Sequence, residues 1–155
     1  TTYDETLCRK IEPNVSTTKE RFEVLLRCKE LGIPTLVWMT PILPFINDTR
    51  ENIEGLLDYC LRAETRGILL FDIGVTLREG DREYFYQALD RNFPGIRQKY
   101  IRTYGNAYDI PSPHAKELMS LVQGTCTANN MLCSPKECFA YLNKFPKRYV
   151  QESLF

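Results

Sequence analysis

The chain has 155 residues, a length typical of one domain, and 43% of them are hydrophobic, so a packed core is expected and wholesale disorder is excluded. Basic and acidic residues number 20 each, so there is no global positive charge, and any contact with nucleic acid would need a local patch. No apolar run approaches the ~20 residues of a membrane span. The opening residues TTYDETLCRK contain neither a signal-peptide core nor an initiator methionine. We therefore expect a cytoplasmic protein without membrane contact, present as an excised fragment or a processed chain.

The first predicted unit is a helix followed by a buried strand. The helix covers residues 16–31, where Thr17 and Glu20 form a capping box at its start and Gly32 ends it. The strand covers residues 35–39, because its apolar run is too short for a helix and is flanked by prolines.

A proline-rich loop, TPILPFIND at residues 40–48, follows this strand. Pro41 and Pro44 each push the preceding residue out of the helical region, so the predicted path is extended. Asn47 is expected to close the loop, and Asp48 to cap the next helix. A rigid, mostly apolar loop at the carboxyl end of a parallel strand is where α/β proteins bind ligands.

A second helix-then-strand unit comes next. Its helix is predicted over residues 49–65, with Asp48 and Glu51 as the capping pair, and its fully apolar strand over 68–71. Residues 1–3 are interpreted as the end of a preceding strand. Alternating helices and buried strands predict parallel βα units, and two to three strands are too few to close a barrel of eight.

The predicted fold class is therefore α/β, in three parts. A partial parallel (βα) barrel fragment covers residues 1–78, a helical extension covers 79–146, and an exposed tail covers 147–155. The helices of the extension are predicted over 81–91, 96–104, 113–124 and 135–145, the last two beginning with serine followed by proline.

Six cysteines are interpreted as reduced thiols, since no signal peptide precedes them. The sharper hypothesis is a metal site formed by Cys126, Cys133 and Cys138, with His114 as the nearby nitrogen ligand. The spacings of these cysteines match no common zinc or iron–sulfur pattern, so no metal ligand is predicted.

Several strings in the chain resemble radical S-adenosylmethionine proteins of the spore photoproduct lyase-like group, also called DNA repair photolyase-like proteins. The resemblance covers nearly the whole chain. It is carried by TTYDETL (1–7), KIEP (10–13), GIP (32–34), TPILPFIND (40–48), GVTLREG (74–80), YGNAYDIPSP (104–113) and the closing QESLF.

The resemblance implies a lyase-like enzyme whose [4Fe–4S] cluster and S-adenosylmethionine generate a 5′-deoxyadenosyl radical, with DNA repair as its expected role. The family holds its cluster in a C-x3-C-x2-C loop, and no pair of cysteines here has either spacing. The chain therefore matches only the carboxyl-terminal half of such a protein. We expect no cluster in this chain, no activity from it alone, and no catalytic residue within it.

The resemblance also implies cofactor-binding residues at the strand ends. Each position has a structural alternative, as a strand end, a turn or core packing. Asp72, which follows the second strand, is expected to form an ion pair with Arg78 or to face the substrate. The implied contacts are Thr1 and Thr2 with the ribose of S-adenosylmethionine, Thr40 and Pro41 with its adenine and methionine atoms, and Leu70 and Phe71 with its adenine.

A mixture of tyrosines and basic residues in the extension gives a nucleic-acid hypothesis, with DNA as the expected partner. Such a mixture can line a groove for nucleic acid, although packing between helices explains it as well. The residues are Tyr84, Tyr100, Tyr104, Tyr108, Arg97, Lys99 and Arg102.

The closing QESLF gives the alternative function, a non-catalytic interaction module that docks on a DNA-processing partner. The pentapeptide resembles the motif with which bacterial repair and replication proteins bind the sliding clamp. Gln151 would supply the amide, and Leu154 and Phe155 the apolar anchors. Glu152 departs from the leucine that is commonest there, and the structural alternative is a tail that folds back on the body.

Overall fold

The computed structural model describes residues 1–144, in which seven helices and four short strands form the chain. In chain order the elements are α1 (Glu5–Ile11), α2 (Thr18–Glu30), β1 (Leu36–Trp38), α3 (Arg50–Arg62), β2 (Gly67–Leu69), β3 (Gly74–Thr76), α4 (Asp81–Asn92), α5 (Ile96–Tyr104), β4 (Asp109–Pro111), α6 (Ala115–Ala128) and α7 (Pro135–Leu142).

The first layer is a parallel pair of strands covered by helices. β1 pairs with β2 in the register Val37↔Ile68, and Leu132 forms an isolated parallel bridge to Gly67. The apolar stripe of α3 packs on the pair, and so does α6 through Leu118 and Val122. This stripe repeats at helical spacing, which is why one face of α3 is buried. Its buried members are Ile53, Leu56, Leu57 and Cys60.

The second layer is an antiparallel ribbon of β3 and β4, in the register Val75↔Ile110. It has its own apolar cluster, in which Ile110 packs with Leu89 of α4 and Tyr100 of α5. Loop residues Phe45 and Ile46 pack against this cluster, whereas Ile42 of the same loop belongs to the first. The loop after β1 therefore joins the two cores.

The prediction of a partial parallel barrel fragment is wrong. Within residues 1–144 there are only two sheets, each of two three-residue strands, and one of them is antiparallel. Residues 1–3 form no strand, because Tyr3 donates its backbone N–H to the side chain of Asn52 rather than to a neighbouring strand. β3 and β4 were not expected, since each is very short and β4 ends in a proline.

The helix predictions agree better with the structure than the strand predictions do. The capping box of Thr17 and Glu20 at α2 is confirmed, as is the serine cap of α7 at Ser134. The cap of α3 was misassigned: Thr49, rather than Asp48, accepts the hydrogen bond from Asn52 N. α1 was missed, although its cap Asp4 is of the usual type.

The remaining helix limits differ by a few residues. α6 begins two residues after its predicted start at 113 and runs on to Ala128. α7 ends at Leu142, before the predicted limit. Across the helices of residues 1–144, none has the length and apolar character needed to cross a membrane.

Candidate functional site

An open cleft of about 630 Å³ lies at the carboxyl ends of β1 and β2. The strand ends, the proline-rich loop and the β3–β4 ribbon supply its walls. Eleven residues line it: Trp38, Thr40, Pro41, Phe71, Asp72, Gly74, Val75, Thr76, Asp109, Ile110 and Pro111. The position agrees with the expectation that ligands bind where parallel strands end.

Two aromatic rings stand exposed at this cleft. Trp38 and Phe71 are 57% and 59% exposed, and their ring centroids lie 6.0 Å apart at a tilted angle. Phe139 of α7 continues the row, with its centroid 6.4 Å from that of Phe71. Neighbouring exposed aromatic side chains offer flat apolar surface to a ligand.

Carboxylates and hydroxyls surround these rings. Asp72 uses one oxygen to accept the backbone N–H of Ile73 at 2.7 Å, which leaves its second oxygen free within the described residues. Asp109 and the hydroxyls of Thr40 and Thr76 also line the cleft. The cleft therefore combines an aromatic wall with acceptors and negative charge, which suits a cationic ligand that carries a flat ring.

The predicted pairing of Asp72 with Arg78 does not form. Arg78 Nε instead donates to the hydroxyl of Tyr108 at 3.4 Å, which raises the pKa of Arg78. The same hydrogen bond lowers the pKa of the Tyr108 phenol. Asp72 therefore remains available at the cleft.

Three of the six predicted cofactor-binding residues line the cleft, namely Thr40, Pro41 and Phe71. The other three lie elsewhere. Leu70 is 2% exposed and belongs to the first core, and Thr2 is 1% exposed, with its hydroxyl bonded to Asn52.

Thr1 is bound behind the loop rather than in the cleft. Its ammonium donates to the carbonyl of Pro41 at 2.7 Å, and its hydroxyl donates to the carbonyl of Thr40 at 2.8 Å. Burial lowers the pKa of this ammonium, against the opposing effect of Glu12, whose carboxylate lies 3.9 Å away. Thr1 therefore supports the loop from behind.

A buried amide network positions the loop. Asn47 accepts the backbone N–H of Leu43 through its side-chain oxygen and donates to the carbonyl of Thr1 at 2.8 Å. Asn52 donates to the carbonyl of Asn47 at 2.8 Å. The expectation that Asn47 closes the loop is confirmed. The role of Asn52 was missed, since the sequence marks it only as a polar residue in an amphipathic helix.

Asp48 joins the loop to the segment before α6. Its carboxylate accepts a 2.6 Å hydrogen bond from the hydroxyl of Ser112, and both residues are buried. Ser112 also accepts the backbone N–H of His114. Asp48 thus fixes the loop to a distant part of the chain instead of capping α3.

The cysteines form no metal site. No group of three or more histidine, cysteine or acidic side chains in residues 1–144 could hold a metal ion. Burial raises the pKa of the Cys60 thiol to about 11 and that of Cys126 to about 12. These buried thiols act as small apolar core residues, because the thiolate that binds metals is disfavoured.

Of the proposed nucleic-acid residues, Tyr100 and Tyr104 pack in the second core, whereas Tyr84, Tyr108 and Arg102 are exposed. Tyr100 is fully buried, and its hydroxyl donates to the carbonyl of Pro44 at 2.7 Å. Arg97 pairs with Asp90 at 2.6 Å, and the Lys99 ammonium lies 4.1 Å from the ring centroid of Phe45. The burial of Tyr100 removes this ring from any surface groove, and DNA binding by the remaining residues stays a prediction.

The predicted clamp-binding residues Gln151, Leu154 and Phe155 lie outside the described residues.

Comparison with known proteins gives distant relatives and no family. No protein-family model matches the chain, and no solved structure matches it. Proteins of Mycobacterium bovis and Mycobacterium tuberculosis, each described as uncharacterized, are 27% identical over 116 residues. The match covers 75% of this chain and 33% of each relative, so the chain spans about a third of the length of the curated relatives it matches.

Proposed function

We propose that the chain supplies part of the S-adenosylmethionine site of a radical enzyme similar to spore photoproduct lyase. The observation that supports this is the cleft at the ends of β1 and β2, where Thr40, Pro41 and Phe71 meet. The motifs TPILPFIND and GVTLREG, on which the resemblance depends, lie on two sides of that cleft.

The chemistry of the lining suits this cofactor. Its adenine would stack on the flat surfaces of Trp38 and Phe71, and its ribose diol suits the hydroxyls of Thr40 and Thr76. Its sulfonium and ammonium are positive and suit the carboxylates of Asp72 and Asp109. The bound cofactor would supply the 5′-deoxyadenosyl radical, and the residues of this chain would bind and orient it.

An iron–sulfur cluster does not fit residues 1–144, which offer no set of three ligands. The proposal therefore assigns the cluster ligands to a part of the intact enzyme outside this chain. The intact protein, purified without oxygen, is expected to hold about four iron and four sulfide per chain. If the intact protein held no iron after reconstitution, that result would contradict the radical-enzyme proposal.

Calorimetric titration of the chain with S-adenosylmethionine tests the cleft directly. Phe71→Ala and Asp109→Asn should each weaken binding about tenfold, since one removes a stacking surface and the other a charge. Val24→Ala is the matched control, because Val24 is 63% exposed on α2 and does not line the cleft. Equal affinity of the Phe71→Ala and Val24→Ala variants would contradict the proposal.

A second proposal is docking on a bacterial sliding clamp, supported only by the QESLF sequence. Replacing Leu154 and Phe155 by alanine should abolish capture of the purified clamp, because both apolar anchors are lost. Replacing Glu152 by leucine should strengthen capture, since leucine is commonest at that position in the motif. Capture that is unchanged by both variants would contradict clamp docking.

A further inference from the structure

A second cleft, of about 390 Å³, lies between α1 and α4. It shares no lining residue with the cleft at the strand ends. Its lining includes Lys10, Tyr84, Phe85, Leu89, Arg91 and Phe93. This volume falls within the range of pockets that hold small molecules.

The base of this cleft is apolar and held in place by the cores. Leu43 and Leu89 are 8% and 2% exposed, so they form a closed floor. The ring of Phe85 is fixed edge-on against Tyr100, with centroids 5.3 Å apart. Phe93 packs on the same core. A rigid aromatic wall of this kind binds a flat ring at low entropic cost.

Tyr84 adds a free aromatic ring at the rim. It is 71% exposed, and its side chain makes no ring contact or hydrogen bond within residues 1–144, whereas its backbone N–H donates to the carbonyl of Gly80. A tyrosine in this position can close over a bound ring and donate its hydroxyl to an anion. The packing of the protein does not account for its exposure.

The rim carries positive charge without a counter-charge. Lys10 and the two terminal guanidinium nitrogens of Arg91 have no acidic partner within residues 1–144. The carboxylates nearest to these two residues in the sequence are engaged elsewhere, since Glu12 pairs with Arg21 and Asp90 pairs with Arg97.

The dipoles of the two helices offset only part of the positive charge of Lys10 and Arg91. Lys10 and Arg91 lie in the last turns of α1 and α4, where cations offset the helix dipole. Each helix end carries roughly half a negative charge, against a full positive charge on each side chain. The rim keeps a net positive field, which favours an anion.

We propose that the cleft between α1 and α4 binds a small planar aromatic molecule that carries a phosphate or carboxylate. The ring lies against Phe85 and Phe93 beneath Tyr84, and the anionic group lies between Lys10 and Arg91. This site is separate from the proposed S-adenosylmethionine cleft, and its occupancy does not depend on that cofactor.

Titration of the whole chain with naphthyl phosphate, followed by NMR of ¹⁵N-labelled protein, tests the site. We expect saturable binding, with the largest amide shifts in α1 and α4. Naphthol lacks the anion and inorganic phosphate lacks the ring, so each should bind at least about tenfold more weakly. Equal binding of naphthol or of inorganic phosphate would overturn the proposal.

Variants separate the cleft from general surface charge. Lys10→Ala and Arg91→Ala should each weaken naphthyl phosphate about tenfold, whereas Lys136→Ala and Arg102→Ala remove exposed cations outside the cleft and should not. Tyr84→Phe keeps the ring and should bind more tightly than Tyr84→Ala. Far-ultraviolet circular dichroism confirms that each variant folds. Equal losses in the control variants, or the largest shifts away from the residues that line the cleft, would overturn the proposal.

Discussion

At the scale of single residues, Asn47 joins the proline-rich loop to the first residues of the chain and to α3. Its side chain joins Leu43 of the loop to the carbonyl of Thr1, and its own carbonyl accepts from Asn52. The sequence predicted a loop closure at this residue. It did not predict the partners, because Thr1 lies 46 positions away and side-chain partners of that kind have no local signature.

Replacing Asn47 by alanine should lower the free energy of unfolding by about 3 kcal/mol, because it leaves a buried donor and a buried acceptor without partners. Urea denaturation measures this loss. Asn129→Ala is the matched control: Asn129 is exposed at the end of α6, and its side chain bonds only to the carbonyl of Thr125, so the loss of stability should stay below about 0.5 kcal/mol. Similar losses in the two variants would contradict the role of the network.

At the scale of elements, local signals predicted the helices and failed on the strands. The caps of α2 and α7 are encoded within four residues, so Thr17 and Ser134 were recognised. β3 and β4 contain three residues each, and their pairing depends on segments about 35 positions apart. Strand pairing between such distant segments depends on tertiary packing rather than on the local sequence. The local sequence therefore gave no signal that could have corrected the barrel prediction.

Two glycines should respond to alanine in opposite directions. A Cβ at Gly74 would collide with the carbonyl oxygen of Ile110 across the β3–β4 ribbon, so Gly74→Ala should destabilise the protein by more than about 1 kcal/mol. Gly124 lies within α6 and has open space, so Gly124→Ala should stabilise it by about 0.5–1 kcal/mol. Thermal unfolding of both variants measures whether each change raises or lowers the stability. A Gly74→Ala variant more stable than the wild type would contradict the close approach of β3 and β4 at Gly74.

At the scale of the whole molecule, the loop after β1 connects two cores and lines one side of the cleft. Ile42 packs in the first core, Phe45 packs against the second, and Asp48 is bonded to Ser112 ahead of α6. Of the candidate site, the sequence predicted the loop and Phe71, and it named Asp72 as a residue that pairs with Arg78 or faces the substrate. It did not predict Asp109 or Thr76, since they reach the cleft only through the ribbon.

The buried thiols of the first core should make stability fall in alkaline solution. Burial raises the pKa values of Cys60 and Cys126 to about 11 and about 12, above the ordinary value of 9.0. Between these values the folded state keeps protons that the unfolded state releases, so the stabilisation is complete below pH 9 and is lost as the pH rises. By pH 10 the loss from Cys60 alone should be about 1 kcal/mol.

Urea denaturation between pH 8 and pH 10 measures the slope of the free energy of unfolding against pH. Cys126→Ala should flatten it, because the proton of Cys126 is no longer retained. A wild-type slope that Cys126→Ala does not change would contradict the account.

The most direct test of the central claim, that the cleft at the ends of β1 and β2 binds S-adenosylmethionine, is an NMR titration of the ¹⁵N-labelled chain with that cofactor. The account predicts saturable shifts concentrated at residues 38–41, 71–76 and 109–111, with none of comparable size in α2. Shifts spread over the surface, or no binding at millimolar cofactor, would contradict it.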